Sequence, residues 1–186
     1  SIQDYIDYGE NRISTVIAPF TSNTTAYRVP LWDKGIDWNE ISNMELCGYL
    51  IQNMDEDCSK IVFGEFPIKG FMTYKIQQEK GELQFLYNKK YDLFIDEKQY
   101  ENICLYIQCM FNHFPPEEEF TSSKRLKQDL INNDKQKAIL KAKELENSKG
   151  SEMLSLISFC LNHPGFKYKK EELRNVGIFE FMDSVQ

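Results

Sequence analysis

Between Ile61 and Pro116 the apolar residues change their period, and that change restricts the chain more than any other feature of its sequence. "KIVFGEF", "FMTYKIQ", "ELQFLYN" and "YDLFI" are short runs rich in β-branched and aromatic residues, joined in part by the Gly-containing "QEKGEL" and the polar "YNKKY". They predict a small antiparallel meander ending near Ile95. Asp96 then stands three residues before Gln99, the spacing of a reciprocal helix cap, and Tyr100, Ile103, Cys104, Ile107 and Phe111 recur at helical spacing. Pro115 and Pro116 end that helix. A meander running straight into a capped amphipathic helix, with further helices after it, gives an α+β fold with a helical C-terminal part.

On the N-terminal side, "RISTVIAPF" and "TTAYRVPLW" are β-like in composition, and Pro19 and Pro30 restrict them to strand ends or edges. They predict an arm that another subunit could complete. "GIDWNEISNMELCGYLIQNM" offers two overlapping capping boxes, Asp37 with Glu40 and Ser42 with Glu45, and predicts a helix near 43–53 burying Met44, Cys47, Leu50 and Ile51. On the C-terminal side, "EEEFTSS" has linker composition, and residues 124–147 predict a charged helix, or two broken at "NND". "SEMLSLISFCLNHPG" predicts an apolar helix stopped by Pro164 and Gly165, with "KKEELRN" and "IFEFMDSVQ" as two short helices about Gly177. The expected organisation is an α+β domain over 1–116 with the β-like arm, a linker over 117–123 and a helical segment over 124–186. Because the chain begins without Met and stops inside a helical pattern, that segment is expected to be open to continuation.

The chain has 186 residues, 22 basic against 29 acidic, and a net charge of −7, which argues against a general binder of nucleic acid or anionic membrane. No signal sequence and no membrane-length apolar run is evident, so a soluble protein is expected. Five cysteines, at 47, 58, 104, 109 and 160, form no disulfide framework and point to a reducing compartment. Residues 121–150 carry eight basic and four acidic side chains, net +4, against −11 on the rest, an asymmetry able to steer a partner.

The two histidines lie in "CMFNHFPP" and "CLNHPG", each just after a cysteine. Cys109, His113, Cys160 and His163 would make a Cys2His2 zinc set, though without the tight knuckle spacing of structural zinc. Two helix ends explain them better: Asn tolerates a left-handed cap, His suits the C-terminal dipole, and Pro blocks continuation. No Gly-x-Gly-x-x-Gly, Walker loop, nucleophile elbow or EF-hand spacing occurs; "NMDEDCS" reads as an exposed acidic loop and "PPEEEF" as a solubilising linker. The last three helical stretches offer too few base-reading side chains, Arg174 and Asn175 at most, for a helix-turn-helix. No catalytic residue, cofactor or metal is therefore expected. Trp32 and Trp38, flanking "DKGID", and the basic Lys124, Arg125 and Lys127 are the candidate partner-binding residues.

Three stretches, "AYRVPLWDKGIDWNEISNMELCGYLI", "YDLFIDEKQYENICLYIQCMFN" and "YKKEELRNVGIFEFMDSVQ", resemble virion-morphogenesis proteins from the structural gene blocks of phages infecting Gram-positive bacteria. Those join a small β region to a helix after an "IDE"-type cap and carry an "EEL…F" pattern near the end. The resemblance implies a tail-assembly-chaperone-like or minor structural protein that binds other phage structural proteins, or copies of itself, in the host bacterial cytoplasm or the virion. It transfers no catalytic residue. A phage-encoded inhibitor of a host protein and a small zinc-stabilised regulatory domain are the alternatives.

Overall fold

A computed structural model describes residues 1–79, 81–147 and 152–185. They form two compact units, neither continuous in sequence: one comprises residues 1–21, 44–114 and 152–185, the other Ser22–Asn43 and 115–147. This corrects the expected division at 117–123, because the long charged helix belongs with residues from the N-terminal third.

The first unit opens with α1 (Ile2–Tyr8) and α2 (Glu10–Thr21), so the expected β-like arm is helical. The reason lies in spacing rather than composition: Ile13, Val16, Ile17 and Phe20 sit three, one and three residues apart, all are buried, and Pro19 falls only in the last turn. Next come α4 (Asn43–Gln52), which buries Met44, Leu46, Cys47 and Ile51 and leaves Leu50 half-buried, and α5 (Glu56–Phe63). The latter replaces the expected strand "KIVFGEF" and turns the acidic loop into a helix start. Asp55 caps it by accepting from Cys58 N at 2.9 Å, and Glu56 and Asp57 oppose the dipole of the first turn.

The sheet has the expected meander order: β1 (Met72–Gln78), β2 (Gly81–Asn88) and β3 (Leu93–Asp96), all antiparallel. β3 runs directly into α6 (Glu97–Phe111) through the expected reciprocal cap: Asp96 accepts from Gln99 N at 2.7 Å, and Gln99 Oε1 from Asp96 N at 3.0 Å. Asn112 closes α6 in the left-handed conformation. The inner face of the sheet contributes Leu86 and Ile95 to a core shared with Phe20, Cys47, Phe71, Ile107 and others of α2, α4, α5 and α6. A second cluster joins Ile2 of α1 to Met153 and Cys160 of α8 (Glu152–Leu161), Leu173 and Val176, and Phe181 of α9 (Ile178–Ser184).

α4 meets β1 at Gly48, where an added Cβ would run into Thr73 Oγ1 and lie 3.1 Å from Thr73 N. The hydroxyl cannot swing away freely, since it donates to Met44 O at 2.9 Å. Gly48→Ala gains helix propensity of about 1 kcal/mol but overpacks this contact. The net result is expected to be a destabilisation of about 1–2 kcal/mol, read from the urea midpoint at unchanged slope.

The second unit contains α3 (Arg28–Asp33) and α7 (Lys124–Asn147). The second β-like run, "TTAYRVPLW", is thus also helical at its end, and Pro30 lies in the first turn of α3, where proline is tolerated. α7 is one helix with no break at "NND". Residues 117–123 have no regular secondary structure but are a fastened strap rather than a free linker. Glu119 O accepts from the Trp38 indole at 3.2 Å, Thr121 O from Asn39 Nδ2 at 2.7 Å, and Glu119 N donates to Thr25 Oγ1 at 3.0 Å. Pro116 O, just before the strap, accepts from Asn23 Nδ2 at 2.6 Å. Arg28 bridges Glu119 and Asp134, and Lys127 pairs with Asp37. Among the described residues, no helix is long and apolar enough to cross a membrane.

Candidate protein-binding site

The residues singled out in the sequence divide sharply. Trp38 is wholly buried, its N–H bonded to the strap and its ring 5.9 Å from that of half-buried Trp32. Lys127 lies 5.7 Å over the Trp38 ring while its ammonium pairs with Asp37, whose carboxyl it helps to hold below the usual range against the opposing effect of burial. Trp38 and Lys127 are therefore framework of the second unit, a correction to their candidacy as partner contacts. Lys124 and Arg125 are exposed on the first turn of α7.

The two Cys/His pairs do not converge: among the described residues, no three His, Cys, Asp or Glu side chains form a metal-sized cluster. Cys160 is buried in the apolar cluster of α8, whereas Cys109, His113 and His163 are exposed. His163 Nδ1 accepts from Gly165 N at 3.2 Å, inside its own turn. The other thiols are in apolar surroundings; burial pushes Cys104 up to about 11 and raises Cys47 and Cys58 as well, the reverse of an activated nucleophile. Arg12, beside a shallow polar depression, is committed to Asp55 at 2.6 Å.

What the sequence reading missed is the outer face of the sheet. Strand alternation puts Met72, Tyr74 and Ile76 of β1 on one side, and the register sets them opposite Tyr87, Phe85 and Leu83 of β2. Tyr87 is paired in turn with Phe94 of β3. All seven side chains thus share one face, opposite to the one that carries Leu86 and Ile95 into the core. Met72 is 55% exposed, Tyr74 39%, Ile76 48%, Leu83 37% and Phe94 50%, with Phe85 and Tyr87 half-buried between them. The rings interlock: Tyr74 stacks on Phe85 at 5.9 Å and meets Tyr87 edge-on at 5.9 Å, and Phe85 leans on Phe94 at 4.8 Å. Tyr87 keeps its hydroxyl satisfied by donating to Asp92 at 2.7 Å, at the margin of the face.

An antiparallel sheet with one face on the core ordinarily presents polar residues on the other. Here the water-facing side carries seven apolar residues, and its charged member, Asp96, is occupied in capping α6. Contiguous exposed apolar surface of this kind marks an interaction site. A signal for it exists in the sequence: "LQFLYN" and "DLFID" place apolar residues on both strand faces, more than one buried face can use. No family model, curated protein or solved structure matches this chain.

Proposed function

We propose that this chain works by binding protein, without chemistry of its own, as an assembly or structural component of a phage particle in the host bacterial cytoplasm or the virion. The observation that carries the binding half is the aromatic outer face of the sheet, set by register and left uncovered within the chain. It supplies what a contact surface needs: large, rigid side chains with few rotatable bonds and no charge to strip of water. The resemblance of the three quoted stretches to virion-morphogenesis proteins supports the phage half.

The test is a titration of the purified chain against each structural protein encoded beside its own gene, followed by calorimetry. One of them is expected to bind, and the double variant Tyr74→Lys with Phe94→Lys is expected to lose most of that binding while unfolding at the wild-type midpoint. Failure of every such protein to bind the folded wild type would reject the assembly role.

A further inference from the structure

We infer that, in the isolated protein, the outer face of the sheet is covered by the same face of a second copy, giving a symmetric dimer of two sheets packed face to face. The inference rests on the reading of that face as a protein-binding one and names its occupant when no other protein is present.

Three observations favour a second copy. The first is area. With an aromatic side chain at roughly 150–250 Å² and the exposed fractions given above, the five most exposed residues alone leave on the order of 500 Å² of apolar surface per copy. Half-buried Phe85 and Tyr87, and the exposed Tyr91 of the adjoining turn, extend it. That approaches the roughly 600–800 Å² per partner of weak to standard interfaces.

The second is charge. Met72, Tyr74, Ile76, Leu83, Phe85, Tyr87 and Phe94 include no acid and no base, so two copies can meet without burying an unpaired ion. The face equally offers a charged partner nothing to complement, which a self-complementary contact does not require. The third is geometry. A three-stranded antiparallel sheet already packed on one side needs a second layer on the other, and two identical twisted sheets supply it by stacking about 10 Å apart. A two-fold axis then sets aromatic rows of one copy against those of the other.

The net charge of −7 on each copy opposes this association, so the dimer has a distinctive salt response. Screening weakens repulsion between the copies while leaving the apolar contact intact, and added salt therefore tightens the dimer. Contact between oppositely charged surfaces would loosen instead.

The experiment is sedimentation equilibrium of the full chain from micromolar to millimolar concentration, at low and at physiological salt. Wild type is expected to pass from monomer to dimer, at lower concentration in higher salt. Tyr74→Glu with Phe94→Glu, which would trap four carboxylates in the dimer, is expected to weaken it by at least about 100-fold. Both positions are exposed, so the variant should keep its far-ultraviolet dichroism and unfolding midpoint; Tyr74→Lys with Phe94→Lys provides a second folded variant. Wild type that stays monomeric to millimolar concentration overturns the inference. So does a dimer indifferent to both double variants, whose interface would lie elsewhere, the open edge of β1 included. A monomer that nonetheless binds a neighbour-encoded protein through Tyr74 and Phe94 overturns self-association alone and leaves the protein-binding reading intact.

Discussion

Trp38→Ala should cost about 3–5 kcal/mol, the range for removing a fully buried large aromatic. The second unit has little with which to absorb such a loss: Leu31, Trp38 and Ile131 are its fully buried apolar residues among those described, and the indole is the largest of them. Truncation would also leave Glu119 O without its indole donor and remove the ring beneath Lys127. Trp38→Phe retains most of the volume and loses the hydrogen bond, so it should fall short of the alanine cost while still exceeding about 1 kcal/mol. Trp32→Ala, at a half-buried position, should cost less than Trp38→Ala. Urea unfolding followed by far-ultraviolet dichroism ranks the three. A Trp38→Ala protein as stable as wild type would mean that the indole is not part of the core, returning it to the list of surface contacts.

The two tryptophans also show where sequence stops informing. Their conspicuousness in a polar stretch makes them natural interface candidates, but nothing local says that a strap eighty residues away covers Trp38. The elements that could be read are those in which period and punctuation agree. β1 to β3 alternate and are separated by turn residues, and α6 has both a reciprocal cap and a regular stripe. Composition and period disagree in α2: "RISTVIAPF" is β-branched by count and helical by spacing, and burial of the Ile13–Phe20 stripe decided for spacing. In α5 the run "KIVF" is too short to reveal its period, and the decisive sign is the Asp55 cap preceding it.

The binding face was half legible. Alternation states which residues of a strand share a face, and so groups Met72 with Tyr74 and Ile76 from sequence alone. It does not state which face is buried. That choice falls to Thr73 and Gly48, where β1 approaches α4 closely, and to Leu86 and Ile95, which enter the core. The more numerous aromatic residues were left outside.

Arg28 gives the second large effect. Its side chain is only 8% exposed; Nε donates to Asp134 of α7 at 2.6 Å, and Nη1 donates to Glu119 of the strap. One planar guanidinium thus ties α3 to both other parts of the second unit, and the Asp134 bond, followed by that to Glu119, keeps its proton more tightly held than usual despite burial. Arg28→Met is expected to cost about 2–3 kcal/mol. This lies below the full range for breaking a buried pair because Glu119 is half exposed and can recover water, whereas Asp134, 26% exposed, recovers less. Arg28→Lys should lose about 1–2 kcal/mol, since a single ammonium cannot reproduce the two-directional fork. The orphaned carboxylate, rather than the missing cation, is the main source of the penalty. Arg28→Met combined with Asp134→Leu should therefore be more stable than Arg28→Met alone, by about 1 kcal/mol or more in a double-mutant cycle. Strict additivity of the two substitutions in urea unfolding would show instead that α3 and α7 are held by packing around Leu31 and Ile131, with the ion pair contributing nothing of its own.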